Sequence, residues 1–364
     1  MIIEKIEAIP YKIPYLKPLE FATGVITDVE HVLIRVHTKD GVVGQAEAPS
    51  RPYIYGESQA SIVAAVNDWF APSVVGLDIR NVERVHQKMK WVVHNHTARA
   101  AVDLAVWDAL GKTLVQPCHV LLGGYADSLR VSDMIGYGSP GQMVEHATKM
   151  KERYGIDAFK IKTGRNIDED VAACRALRKA MPTTEFYLDS NHGWTADEAI
   201  YAARATADLR LAFFEEPCPA ADRQGRRRLL QALDVPICGD ESCTSLMEVA
   251  RELSDGACQM VSIKTARTGF TESRRIGALC EGLSAPVVMG NQGDTMVGTL
   301  ATLSFGAAFR LPSLRPAEMT NYFEICDDLL AEPLVIQNGQ MKVSSEPGIG
   351  VTIDEAKLKH YRID

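Results

Sequence analysis

The first fifty residues alternate apolar and polar positions. MIIEKIEAIPYKI and HVLIRVHTKDGVVGQAEA read as half-buried strands, and Lys39-Asp40-Gly41 supplies a turn between two of them. From about residue 58 to 121 the period lengthens to that of helices. TARAAVDLAVWDALGK places Ala101, Leu104, Ala105 and Leu110 near one face and closes at Gly111. Strands followed by helices predict an α+β unit. After Gly123-Gly124 the texture changes. Short apolar runs recur near residues 132, 160, 187, 213, 237, 261, 287 and 317, with helical stretches such as DEDVAACRALRKAM and MEVARELSDG between them. Eight strands alternating with helices predict a parallel (β/α)8 barrel of the TIM type. No GxGxxG follows the first of these strands, which argues against a doubly wound sheet. Beyond residue 325 the pattern is mixed. LVIQNGQMKV reads as a hairpin through Asn338-Gly339, in a tail that packs back on the first unit. The predicted division is residues 1–125 as a capping domain, 126–325 as the barrel and 326–364 as the returning segment.

Composition narrows the partners. The chain has 364 residues, 46% of them hydrophobic, enough for a sizeable core. Its net charge is -8 at pH 7 and it has no basic block, which argues against nucleic acid or an anionic membrane surface. No apolar run is long enough to span a bilayer. MIIEKIEAIP does not have the form of a signal peptide, and the eight cysteines form no CxxC pair. These features predict a cytoplasmic protein with reduced, buried thiols such as Cys174, Cys258 and Cys280.

Charges interrupt the barrel strands at their ends, the face where such barrels carry their chemistry. Lys160 and Lys162 come first, then Asp189 with Asn191, Glu215 with Glu216, Asp240 with Glu241, and Lys264. Asn291, Asp294 and Glu318 follow. Asp189, Glu215 and Asp240 fall one per strand and converge in a barrel. Three carboxylates without His or Cys repel one another unless a cation sits among them, and all-oxygen ligands suit Mg²⁺, with Mn²⁺ as the alternative. Lys162 and Lys264 flank the acids from either side. Burial and the neighbouring Lys160 are expected to lower the pKa of Lys162 toward that of a usable base. Lys264 has no cation two residues away and is expected to stay protonated and serve as the acid.

The set FKIKTG, YLDSN, FFEEP, GDES and SIKTARTG resembles the muconate-lactonizing subgroup of the enolase superfamily, over essentially the whole chain. The resemblance implies a modified (β/α) barrel under an α+β cap. It implies metal ligands at Asp189, Glu215 and Asp240, and acid/base residues at Lys162 and Lys264, in line with the superfamily's Lys or His bases and Mg²⁺. SIKTARTGF, MGNQGD and AEAPSRPYIYGE are similar to actinobacterial muconate cycloisomerases. That implies closure of cis,cis-muconate, or a chloromuconate, to a muconolactone through a metal-stabilised enolate, in a homo-oligomer. One departure stands out: many relatives read KxGG after the sixth-strand lysine, where this chain has Thr265-Ala266-Arg267-Thr268-Gly269.

The same machinery serves racemases, epimerases and dehydratases of other small carboxylates, and a ligand-binding scaffold without catalysis is the non-enzyme alternative. Specificity is expected from the cap segments 15–24 and 49–57, which hold Lys17, Arg51, Tyr53 and Tyr55. Lys17 or Arg51 would meet the second carboxylate of a dicarboxylate. RPAEMTN lacks the Asp-x-Asp pair by which dipeptide-acting relatives hold an ammonium group, which favours an anionic substrate. Asp294 and Glu318 would orient substrate or Lys264, or cap a loop. Lys160, Asn191 and Glu241 complete the supporting set.

Overall fold

Alternation in the first fifty residues produces three antiparallel strands in the order β1-β2-β3: β1 Ile3–Phe21, β2 Gly24–Thr38 and β3 Val43–Pro49. The computed structural model describes residues 1–21 and 24–364; residues 22 and 23 of the cap segment 15–24 lie outside the described residues. Pro10, Pro14 and Pro18 are tolerated because β1 is an edge strand, and its register with β2 shifts between Pro14 and Leu19. Gly41, at φ 81°, turns β2 into β3.

Helix His96–Leu114 packs between β3 and helix Thr265–Gly282. It is not one-faced as its sequence pattern predicts: every residue from Ala100 to Gly111 is buried. Nor does it stop at Gly111. It runs to Leu114 and ends on Val115 in the left-handed region. Gly111 is there for space, since a Cβ would lie 2.6 Å from Gly348 Cα and 2.8 Å from Gln116 O. Asp103, on this helix, accepts the N–H groups of Phe270 (2.8 Å) and Thr271 (2.9 Å). These are the donors freed where Gly269, at φ 59°, kinks the partner helix.

The eight apolar runs are the eight barrel strands. They are β4 Ser128–Ile135, β5 Ala158–Lys162, β6 Glu185–Asp189, β7 Phe214–Glu215, β8 Ile237–Gly239, β9 Met260–Ile263, β10 Val287–Met289 and β11 Ala317–Glu318. Parallel ladders join β4 through β10 in order, and β11 pairs back onto β4. No ladder joins β10 to β11 among the described residues. Asn291 spans that seam, its N–H 3.2 Å from Glu318 Oε2. An α-helix follows each of the first seven strands, but only a short 3₁₀ turn, Asn321–Glu324, follows β11. This is a modified barrel under an α+β cap.

The tail hairpin forms through Asn338 and Gly339, with β12 Ile336–Gln337 and β13 Gln340–Lys342. It does not lie on the cap sheet: β13 pairs antiparallel with β4 of the barrel. The rest of the tail does pack back on the cap: Cys326 N–H meets Pro14 O at 3.0 Å, Gly348 N–H meets Gln116 O at 3.0 Å, Ile349 N–H meets Asp108 Oδ1 at 2.7 Å and Ile363 N–H meets Pro10 O at 3.1 Å. All eight cysteines are free thiols, seven buried and Cys326 exposed. Among the described residues no helix is long and apolar enough to cross a membrane.

Candidate active site

Strand register decides which charges share the lumen. Lys162 pairs with Asp189, and Asp189 with Glu215, so their side chains leave the sheet on one face. Glu215 pairs with Cys238, and Asp240 lies two residues beyond Cys238 on that face. Beneath them Tyr187, Phe213, Cys238, Met260 and Val288 form a separate apolar floor. Tyr187 and Phe213 stack with ring centroids 4.3 Å apart. The charged layer therefore rests on a dry base, where its interactions are stronger than in water.

The lysines and acids interlock. Lys160 Nζ lies 3.0 Å from Asp189 Oδ2, 2.8 Å from Glu215 Oε2 and 2.7 Å from Glu318 Oε1. Lys162 Nζ donates to Asp189 Oδ2 and to Asn191 Oδ1, each at 2.6 Å. Lys264 Nζ donates to Asp240 Oδ2 at 2.6 Å. Burial opposes the charge of Lys160, but Asp189, Glu215 and Glu318 outweigh it and hold the ammonium well above its usual range. Lys264 follows the same balance: burial lowers it, Asp240 more than compensates, and its pKa is raised. Burial alone would raise Asp189 and Asp240. Lys160 and Lys162 beside the first, and Lys264 and Arg267 beside the second, hold both far below the carboxylate range.

This corrects the expected purpose of the KxK pair. Lys160 does not present an uncompensated charge to Lys162, because three carboxylates surround it within 3.0 Å. Lys264, conversely, is not without a cation nearby. Arg267 Nη1 donates to Asp240 Oδ1 at 2.7 Å, on the carboxylate that Lys264 also holds. Arg267 Nη2 reaches Ser262 O at 2.7 Å, and Nη1 also reaches Tyr55 OH at 3.3 Å. The only sequence signal for this arginine is the departure from KxGG.

One cavity gathers Arg51, Tyr53, Lys160, Lys162, Asp189, Asn191, Glu241, Lys264, Asn291 and Glu318, along with His192, Gln292 and Asn321. Glu215 and Asp240 are fully buried and do not line it, and three further expected residues stand elsewhere. Lys17 is exposed and lines a neighbouring groove with Tyr137, His146 and Glu324. Tyr55 lies behind the cavity wall, its OH donating to Gln292 Oε1 at 2.6 Å. Asp294 is buried and accepts the Gln292 N–H at 3.3 Å, the loop-cap role rather than one facing substrate. Burial, then the charge of Glu47, pushes Asp294 up to about 7. Glu241 accepts Asn191 Nδ2 at 2.9 Å. Burial and repulsion from Asp240 and Asp189 raise it to about 8. A roomier cavity of about 690 Å³ lies over the tail, lined by Leu300, Leu334, Val335 and Met341; none of the strand-end residues reaches it.

A divalent cation is implied by the three acids, and their surroundings test that implication. Among the described residues no three His, Cys, Asp or Glu side chains stand closed around one point. Ammonium groups occupy the inner oxygens of Asp189 and Asp240 instead. Glu215 gives the positive sign. Among the described residues both of its oxygens are buried with no hydrogen bond, and Lys160 Nζ lies 2.8 Å from Oε2. Burial drives its pKa well above the carboxylate range, a cost that a bound cation would remove. The all-oxygen donor set of Asp189, Glu215 and Asp240 fits Mg²⁺ or Mn²⁺.

Residues 5–123 match the mandelate racemase / muconate lactonizing enzyme N-terminal domain, and residues 142–357 match the enolase C-terminal domain-like family. The crystal structure of muconate lactonizing enzyme from Mycobacterium smegmatis complexed with muconolactone is 49% identical, covers 100% of both chains and superposes with a TM-score of 0.99. Muconate cycloisomerase 1-2 of Acinetobacter lwoffii is 29% identical over 100% of this chain and 96% of its own. A dipeptide epimerase from Enterococcus faecalis, solved with Mg and the dipeptide L-Leu-L-Tyr, is 25% identical over 97% of this chain and 100% of its own, with a TM-score of 0.91. The chain belongs to the mandelate racemase / muconate lactonizing enzyme family of the enolase superfamily, and it is an isomerase-class enzyme.

Proposed function

We propose that this enzyme closes cis,cis-muconate, or a chloromuconate, to a muconolactone with the help of a divalent cation. The observation that carries the reading is the pair of buried ammonium groups, Lys162 and Lys264. They are set on opposite sides of Asp189, Glu215 and Asp240, around a cavity that Arg51 also lines. Similarity along the whole length of a muconate lactonizing enzyme supports the substrate class. The organisation that goes with it is a cap over 1–125, a barrel over 126–325, a tail over 326–364 and a cytoplasmic homo-oligomer. The family matches over 5–123 and 142–357 support the first division.

Mg²⁺ or Mn²⁺ held by Asp189, Glu215 and Asp240 would stabilise negative charge as it develops on one substrate carboxylate. Arg51 is buried at the cavity wall and takes the other carboxylate, fixing its distance from the double bond it attacks. As the carbon–oxygen bond forms, the carbon next to the first carboxylate gains electron density and needs a proton. Lys264 donates it from Nζ, since Asp240 keeps that nitrogen an ammonium. Lys162 stays bound to Asp189 and Asn191 and adds positive charge on the opposite side.

A dipeptide substrate would need a free carboxylate for its ammonium group. Glu318 is the acid at the end of β11, and Lys160, Tyr187 OH (3.1 Å) and the Asn291 N–H already engage it. This favours a dicarboxylate. The test is a screen of the protein with Mg²⁺ or Mn²⁺ against muconates, dipeptides and N-succinyl amino acids. Loss of muconate ultraviolet absorbance is expected. Inert muconate, with α-proton exchange in a dipeptide or N-acyl amino acid, would replace this reading with an epimerase or racemase.

A further inference from the structure

Glu216 follows Glu215 but faces the other way. It is wholly buried and has φ 35°, a left-handed conformation that costs a non-glycine residue free energy. Its main chain is tied on both sides. The N–H donates to Cys238 O at 2.9 Å, and the carbonyl accepts the His192 N–H at 2.7 Å. Its side chain reaches the next turn. Oε2 accepts the Asp240 N–H at 2.7 Å, the Ser242 N–H at 3.1 Å and Ser242 Oγ at 2.9 Å. Oε1 takes Arg226, itself fully buried, which also donates to Ser242 Oγ at 3.0 Å and lies 3.6 Å from Glu252.

One residue therefore touches all three strand ends that carry the acids. It is bonded to the turn after Asp189, is the next residue after Glu215, and holds the backbone of Asp240. The bonds to its carboxylate are charge-assisted and buried, so they are short and demanding in geometry. Arg226 balances the charge without leading it to solvent. Groups that orient ligands without touching the metal set its affinity as much as the ligands do.

We propose that Glu216 is a positioning residue whose backbone and carboxylate lock the turns after β6, β7 and β8 into one block, presetting the spacing of Asp189, Glu215 and Asp240 for a divalent cation. This rests on the reading that those three acids hold the cation and is independent of the organic substrate. Mn²⁺ titration of the metal-free full chain, followed by calorimetry well below the unfolding temperature, tests it. Wild type should bind Mn²⁺, and Asp240→Asn should not. Glu216→Gln should weaken Mn²⁺ roughly tenfold or more, and Ser242→Ala should weaken it in the same direction by less. Val36→Ala, in the cap core, should lower the unfolding temperature and leave Mn²⁺ affinity at the wild-type value. If Glu216→Gln does not fold, Ser242→Ala decides. Wild-type affinity in the folded variants would overturn the positioning role alone, as would equal weakening by Val36→Ala. No binding by wild type would overturn both the role and the metal site.

Discussion

Lys264 and Lys162 occupy similar depths in the barrel yet meet different neighbours. Lys264 shares Asp240 with Arg267, whereas Lys162 is held between Asp189 and Asn191. If Lys264 is the proton donor, Lys264→Ala should reduce turnover by about 10²-fold or more, while Lys162→Ala slows it less. Turnover in D₂O, followed by the deuterium content of the product, measures this; near wild-type labelling by Lys264→Ala refutes the assignment. Away from the site, His86 is buried with neither ring nitrogen hydrogen-bonded. Burial first, then Arg275 and Lys90, lowers its pKa from 6.5 to about 4. The unfolded chain thus binds the extra proton between those values, so stability present above pH 6.5 is lost as pH falls toward 4. Wild type should lose about 3 kcal/mol relative to His86→Leu across that window, by urea unfolding at a series of pH values. Parallel pH profiles would contradict it. The strand-end lysines and acids were legible because charges in an apolar run are conspicuous. Arg267 was not, because its meaning depends on Tyr55, 212 positions away, and on a carboxylate 27 positions away. Lys17 was misplaced for a related reason: sharing a cap segment with charged neighbours does not say which groove a side chain enters.

Periodicity identified elements better than their ends. Helix His96–Leu114 was recognisable from its apolar spacing, but Gly111 read as a stop because glycine usually is one. Its real constraint is the passing backbone of Gly348, which no local pattern reports. The consequence is a reversal of the ordinary rule. Gly→Ala inside a helix usually stabilises by about 1 kcal/mol. Gly111→Ala should instead destabilise by about 1–3 kcal/mol, because the contact is with backbone that cannot rotate away. Denaturant unfolding decides; a gain in stability would show that the tail yields easily. The barrel strands were countable for the opposite reason. Each is a short apolar run bounded by polar turns, so eight of them survive as a signal even where β7 and β11 are only two residues long.

At the scale of the molecule, the order β4 to β10 follows the chain, and consecutive pairing is what repeated strand–helix units dictate. The contacts that escaped prediction join distant parts of the sequence. β13 pairs with β4 across more than two hundred residues, although the tail was rightly expected to return to the cap, where Gly348 crosses the helix. Such contacts are set by which edges remain open once the barrel has formed, not by the segments themselves. The cap, the tail and the barrel together place Arg51 over the lysines and acids, and this arrangement is the basis of the functional claim. The most direct test is proton NMR of cis,cis-muconate with the protein and Mg²⁺ in D₂O. The account predicts muconolactone carrying one deuterium on the carbon next to its free carboxylate, with formation abolished by exhaustive chelation and by Asp240→Asn. Unchanged muconate, or undiminished conversion after chelation, would contradict it.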